Sequence, residues 1–323
     1  MTEARRQQLA QLIDARGFVR VTDAADELGV SDVTIRGDLS ALERRGAVIR
    51  VHGGAMPSAA FRESSLEASL DRDAAAKRAI GRAAAALEAH LAEHADQTAA
   101  LIVEPLVQCA SGMVMYDPEY LRLARQLCDR YRVHLVADEI AVGCGRSGSF
   151  FACQQAGIWP DFLLLSKGIS GGYLPLSIVL TTSDVFAAFY DDDTARGFLH
   201  SHSYTGNPLA CRAALATLDI FEEDQVIARN RATAARLGEA FCGAVGSHPA
   251  VHHLRQQGMM LAFDVAGAPP GFARRFFAEA LARELLLRPI GNTVYTMPPY
   301  ILSGAEIAHL ANQTAAALEA SLG

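Results

Sequence analysis

Phe162-Leu163-Leu164-Leu165-Ser166-Lys167-Gly168 is a run of four apolar residues closed by a serine, a lysine and a glycine. An apolar run of that length, bounded by small and polar residues, predicts a buried strand. Two other runs share the form. Ala99 to Val103 ends in Glu104-Pro105, and His134-Leu135-Val136-Ala137 ends in Asp138-Glu139. A fourth, Ser177 to Thr181, follows the lysine. The segment Pro118 to Arg132 between two of them has helical character, so β-α-β alternation and a mostly parallel sheet are expected. Ligands of such sheets sit at the carboxyl ends of the strands. Glu104, Asp138 and Lys167 each fall at such an end.

Across 323 residues, 50% are hydrophobic, 20% charged and 7% aromatic, which predicts two domains with a real core and excludes a disordered or low-complexity chain. The net charge of −7 excludes a chain built as a whole to coat nucleic acid or an anionic membrane. Lysine occurs only at Lys77 and Lys167. Lys77 lies in a charged stretch that reads as a solvated helix, so chemistry that needs a primary amine falls to Lys167. The N-terminus lacks the apolar stretch of a signal peptide, and no apolar run approaches the ~20 residues that span a bilayer. Six scattered cysteines (109, 128, 144, 153, 211, 242) predict neither a disulfide framework nor a zinc site. His90, His94, His248, His252, His253 and His309 show no ligand spacing, so no metal is expected. A soluble cytoplasmic protein is the expectation.

An acid and a lysine at neighbouring strand ends suggest pyridoxal phosphate. The lysine carries the cofactor covalently, and the carboxylate keeps the ring nitrogen protonated so that the ring accepts the electrons of a Cα carbanion. Spacing alone leaves a surface or capping role equally open for both residues.

The first 56 residues read differently. Leu9, Leu12 and Ile13 form one stripe of a helix ending at Gly17. Val19 and Val21 form a short extended piece, Thr22 is expected to cap a second helix to Leu28, and Gly29 makes the turn. Ser31 is a good N-cap for a third helix to about Arg45, with Val33, Ile35, Leu39 and Leu42 facing inward. Val48 to Gly54 then alternates as a β-wing would, completing a winged helix-turn-helix. Val30-Ser31-Asp32-Val33-Thr34-Ile35-Arg36, Asp38-Leu39 and Arg50-Val51-His52-Gly53-Gly54-Ala55 resemble the DeoR-family DNA-binding domain. The resemblance implies that Thr34 and Arg36 lie near bases while Arg44, Arg45, Arg50 and His52 meet phosphate or minor groove. Gly37 stands where that family usually has a second basic residue. Eight arginines balance eight acids over this region, so any basic face is local.

Leu101-Ile102-Val103-Glu104-Pro105, Ala137-Asp138-Glu139-Ile140, Gly143-Cys144-Gly145-Arg146-Ser147-Gly148, Ser166-Lys167-Gly168, Gly171-Gly172-Tyr173 and the run His200 to Cys211 resemble class III aminotransferases of fold type I. Met113-Val114-Met115-Tyr116, Arg288-Pro289-Ile290-Gly291, Tyr295 and Met297-Pro298-Pro299-Tyr300 resemble the biotin-synthesis branch of that family. The resemblance covers about residues 88–323. It implies that Lys167 is the catalytic, cofactor-bearing lysine, that Asp138 pairs with the pyridine nitrogen, and that Ile140 lies against a ring face. It further implies that His202 and Ser203 hold the phosphate from the neighbouring subunit of a homodimer. Ser201, Arg288 and Tyr295 are implied to line the substrate pocket, with Arg288 gripping a carboxylate through its fork. Glu104 reads equally as a site residue or as a carboxylate that orients a loop.

The expected organisation is a DeoR-type winged helix-turn-helix (1–56), a linker helix region (57–87), an incomplete cofactor-binding large domain (88–225) and a small α+β aminotransferase domain (226–323). The fold class is α/β, a truncated fold type I transferase preceded by the winged helix. The segment that in such enzymes cradles the phosphate and stacks an aromatic on the cofactor is not found in residues 1–84, and the shortened sheet is expected to expose apolar surface. Three functions therefore stand side by side. The chain is a transaminase acting on an amino donor and a keto acceptor, a DNA-binding transcription regulator that uses the second part to dimerise or sense a ligand, or a fusion with neither activity.

Overall fold

A computed structural model describes residues 2–16, 19–44, 48–51, 54–57, 68–201 and 203–323. They divide into two compact units, Met1–Ala79 and Ile80–Gly323.

In the first unit, α1 (Thr2–Arg16), α2 (Val21–Leu28) and α3 (Asp32–Arg44) pack around Leu9, Ile13, Ala24, Ile35, Leu39 and Leu42. Gly29 turns the chain between α2 and α3 at φ +63°, a backbone conformation that costs glycine nothing. Ser31 caps α3, its hydroxyl accepting from the Thr34 N–H at 3.3 Å. β1 (Val19–Arg20), β2 (Val48–Val51) and β3 (Gly54–Pro57) form an antiparallel sheet in the order β1-β3-β2, with β2 and β3 as the wing. Two expectations need correction. Thr22 does not cap α2, which already begins at Val21 after an Arg20 with no capping side chain; the Thr22 hydroxyl instead reaches Asp23 at 3.2 Å. Val33 does not face inward. It is 75% exposed, because two residues along a helix turn about 200° and put it opposite Ile35.

Asp38 is the buried polar centre of this unit. It is 2% exposed and accepts from Arg5 at 2.6 Å and Arg6 at 2.8 Å, tying α3 to α1. Burial pushes its carboxyl up, but the hydrogen bonds and charges of the two guanidinium groups together hold it below its ordinary value.

The second unit carries the predicted sheet. β4 (Ala100–Val103), β7 (His134–Asp138) and β8 (Phe162–Leu165) run parallel, and β9 (Ile178–Thr181) adds antiparallel to β8, in the order β4-β7-β8-β9. Between β4 and β7, β5 (Val107–Gln108) and β6 (Val114–Met115) form a small hairpin. Asp117 then caps α5 (Pro118–Tyr131), with proline at the first helical position. Leu91 of α4 (Ala68–His94), Leu121 and Cys128 of α5, and Leu135, Leu163 and Leu165 share one core. Asp161 accepts from the Leu135 N–H at 2.7 Å and from Arg125 at 2.8 Å, pinning the start of β8 against β7. Neither β4 nor β9 has a second neighbour among the described residues, and Ile102 and Val179 on them are 66% and 60% exposed.

After α6 (Ser183–Ala187), α7 (Pro208–Glu223) leads into α8 (Val226–Val245). The antiparallel sheet of β10 (Val251–Gln257), β11 (Met260–Val265) and β12 (Thr293–Thr296) packs on α8, α9 (Phe272–Leu281) and α10 (Gly304–Leu322). Phe241, Phe263, Phe272, Phe276 and Leu318 fill that interface.

Asp38→Asn should lower the stability of the first unit at neutral pH by about 1–3 kcal/mol, since it removes the buried carboxylate that Arg5 and Arg6 share. The native carboxyl titrates below its unfolded value, so this contribution is complete above about pH 4 and fades as acid protonates Asp38. Urea titrations of both chains followed by circular dichroism at pH 7 and pH 3 measure it. Equal destabilisation at both pH values would refute the charge assignment.

Candidate functional site

The parallel pairing of β7 and β8 sets Asp138 opposite Leu164, so that the turn after Leu165 returns Lys167 to the same end of the sheet. Lys167 opens a short helical turn at φ +48°, a left-handed conformation that costs a non-glycine residue about 1 kcal/mol and marks a position held by its surroundings. Two contacts hold it. The Ser166 hydroxyl donates to the Leu176 carbonyl at 2.8 Å, and Gly168 lies so close to Cys144 that a Cβ there would meet the cysteine's Cβ at 2.8 Å.

Lys167 opens on a cleft of about 490 Å³ whose walls include Glu104, Cys109, Ile140, Arg146, Tyr295 and Tyr300. At the end of β7 the Asp138 carboxylate accepts from the N–H of Ile140, a residue of the cleft wall, at 3.0 Å, which fixes that carboxylate next to Ile140. Glu104 accepts from the Cys109 N–H at 2.5 Å and its carbonyl from the Tyr116 hydroxyl at 2.6 Å. Glu104 therefore orients the following loop, one of the two alternatives expected of it, and its side chain lines the cleft. Burial, reinforced by the charges of Glu104 and Asp138 and opposed by Lys167, pushes the Cys109 thiol up to about 11. Glu104 and Lys167 line the same cleft as that thiol.

The loop after Asp138 is built on Glu139, 1% exposed, whose carboxylate accepts from the Ala152 and Cys153 N–H groups at 2.7 and 2.8 Å. Burial outweighs these hydrogen bonds and raises its carboxyl above the ordinary range. The loop delivers Arg146, which donates to the Pro298 carbonyl and lies 4.6 Å from the centre of the Tyr300 ring. Arg146 pairs with no carboxylate among the described residues, and burial lowers its pKa. Tyr300 in turn donates to the Cys144 carbonyl at 2.7 Å.

Comparison with known proteins finds two families, whose matches overlap at residues 39–58. Residues 39–318 match the family model of class-III aminotransferases, and residues 5–58 match that of the DeoR-like helix-turn-helix domain. An adenosylmethionine-8-amino-7-oxononanoate aminotransferase of Helicobacter pylori is 46% identical over 227 residues, 69% of this chain and 52% of that protein. One from Synechococcus elongatus is 41% identical over 232 residues, 70% of this chain and 53% of that protein. Among solved structures, the enzyme of that name from Methanocaldococcus jannaschii superposes with a TM-score of 0.68 at 30% identity, over 72% of this chain and 56% of the other. An (S)-enantioselective omega-transaminase from Thermomicrobium roseum gives 0.71 at 30% identity, over 77% and 57%. The chain belongs to the class-III aminotransferases. Its fold is that of the fold type I enzymes, and it carries a DeoR-like helix-turn-helix at its N-terminus. It spans about half the length of the curated relatives it matches.

Class-III aminotransferases depend on pyridoxal phosphate, and the donor set here suits that group: one amine and one carboxylate at adjacent strand ends, the amine opening on a cleft of suitable size. The structure lines one cleft with Ile140, Lys167 and Tyr295 and sets Asp138 at the adjacent strand end, bonded to the Ile140 N–H. Arg288 is exposed and lines an adjoining cavity of about 850 Å³ that shares Tyr295 and Met297 with the cleft. Ser201 and Ser203 are exposed and line neither, and His202 lies outside the described residues. In the first unit Arg36 is exposed, while the Thr34 hydroxyl is engaged with Ser31 at 3.0 Å. Arg44 and Arg50 are placed by backbone alone, at the end of α3 and on β2, and Arg45 and His52 lie outside the described residues. Sequence reasoning missed Cys109 and Arg146 as cleft residues. Arg146 sits in a glycine-rich motif already singled out, which was its only signal.

Gly168→Ala should destabilise the second unit by about 1–3 kcal/mol through the overlap with Cys144. Adding Cys144→Gly, at a φ of +51° that favours glycine, should restore most of the loss. Thermal melts of the single and double variants check this; a normal melt for Gly168→Ala alone would show that the contact yields freely.

Proposed function

We propose that the second unit binds pyridoxal phosphate and transfers amino groups, in the manner of the adenosylmethionine-8-amino-7-oxononanoate aminotransferases. One observation carries the reading: the chain's one lysine outside α4 stands at the carboxyl end of β8, beside the strand that ends in Asp138. When bound, pyridoxal phosphate supplies a protonated ring into which electrons from a labilised Cα–H bond are drawn. The Asp138 carboxylate, already fixed by the Ile140 N–H, holds the proton on the ring nitrogen. The Lys167 amine would hold the group and would be the base that moves the proton at Cα. Ile140, which lines the cleft, would hold the group on one side and exclude water there. Arg288, beside Tyr295, binds the substrate carboxylate through two parallel N–H groups.

His202 and Ser203 would hold the phosphate from a second copy in a homodimer. The exposed apolar residues Phe186, Tyr190, Phe198, Leu199, Tyr204 and Leu209, 60–87% open, support such a partner surface around the same segment. Residues 88–225 form the cofactor-binding part and 226–323 the small domain. Among the described residues no helix is long and apolar enough to cross a membrane, and we place the chain in the cytoplasm.

Full-length protein mixed with pyridoxal phosphate should develop a visible absorption band, and Lys167→Ala should not. Asp138→Asn should keep a band yet slow conversion of the bound cofactor by an amino donor by about a hundredfold or more. No band in the wild-type chain would end the reading.

A second reading, favoured by the exposed Arg36 on α3 next to the β2–β3 wing, is that the first unit binds DNA and the chain regulates transcription. Arg36→Ala should weaken duplex binding and flatten its salt dependence by about one unit of slope. A gel shift at several salt concentrations measures both; an unchanged slope would remove Arg36 from the interface.

A further inference from the structure

We propose that Val33 is a specificity-determining residue of the first unit and reads the methyl group of a thymine in the major groove. The inference rests on the DNA-binding reading above. Val33 is 75% exposed, and among the described residues of its unit it is the one large apolar side chain left open to solvent. It begins a stripe along α3 that continues through Arg36 and Gly37, both exposed, to Ser40. Those spacings, three, four and seven residues, put the four positions on one helix face. The opposite face, with Ile35, Leu39 and Leu42, is committed to the core.

The chemistry of that stripe is specific. Val33 presents two methyl groups from a β-branched side chain that a helix restricts to one principal rotamer, so little entropy is lost on contact. Of the exposed edges in a duplex, the thymine C5 methyl is the apolar one, and apolar side chains are its ordinary partners. The hydroxyl next in sequence cannot compete for a base edge, since Thr34 is bonded to Ser31 at 3.0 Å as part of the helix cap. Gly37 has open space where its Cβ would stand, which lets the helix backbone approach the groove closely at the middle of the stripe. Arg36, with no acid partner among the described residues, supplies the charge that the apolar contact lacks. Neighbouring Asp32 opposes phosphate, which leaves the bases and not the backbone as the fitting partner for this end of the helix.

The test uses the full chain and duplexes selected by it from a random-sequence pool. In the best selected duplex each thymine is replaced in turn by deoxyuridine, which removes only the methyl group. At one position the wild-type chain should bind about three- to five-fold more weakly, the effect of roughly one buried methyl group. Val33→Ala should bind the unmodified duplex weaker by a similar factor and be indifferent to uracil at that position. Val33→Thr, which keeps one methyl group, should retain part of the dependence. Because Val33 is exposed, both variants should melt like the wild type. Binding that ignores uracil at every position, or that loses equally with Val33→Ala, would overturn the assignment while leaving DNA binding intact. Failure to enrich any duplex would overturn the DNA-binding reading and this inference with it.

Discussion

The parallel pairing of β7 with β8 is the constraint on which the site depends. Side chains alternate along a strand, so a register that sets Asp138 against Leu164 also decides which residues reach the sheet's carboxyl end. Asp161 fixes that register from the far end by bonding to the Leu135 N–H and to Arg125. Slip the pairing by one residue and Lys167 no longer emerges beside Asp138. The apolar runs that make the strands are thus the same feature that makes the chemistry, and the left-handed turn at Lys167 is tolerated because the core beneath it is already closed.

A second set of bonds ties the cleft's far wall in place. Arg255 donates to the Met113 and Gly112 carbonyls at 2.9 and 2.8 Å and forks onto Asp264. Asp264 also accepts from Thr293, at the start of the strand that carries Tyr295. One guanidinium thereby joins the loop bearing Cys109 and Met113 to the sheet bearing Tyr295. Burial works against the Asp264 charge, yet Arg255, Thr293 and His253 together keep its carboxyl below the ordinary value. Arg146, bonded to Pro298 and lying on Tyr300, makes the matching tie on the other side.

Much of this was legible in the sequence, and the rest was not for identifiable reasons. The strands around Asp138 and Lys167 are short apolar runs with polar ends, a signal that survives without tertiary information, and β8 occupies the residues expected of it. Lys167 stood out because lysine is so scarce here. Val33 was misplaced because an apolar residue near a helix start looks like core; only the angle from Ile35 shows otherwise. The direction of β9 was hidden, since a four-residue apolar run carries no polarity. Arg146 owes its burial to Pro298 and Tyr300, about half the chain away, and no local pattern announces such a contact. Cys109 reads as a small hydrophobe until Glu104 bends the loop and turns it into the cleft.

The two units meet different chemical demands, an apolar-and-cationic helix face in one and an amine beside a carboxylate in the other. The second is the central assignment. Its most direct test is to add pyridoxal phosphate to the full chain, reduce with borohydride, digest, and locate the label by mass spectrometry. With only two lysines present, each falls on its own peptide and is told apart from the α-amino group by mass. The label is expected on the peptide containing Lys167 and not on that containing Lys77; label on Lys77, or shared equally between them, would contradict the site.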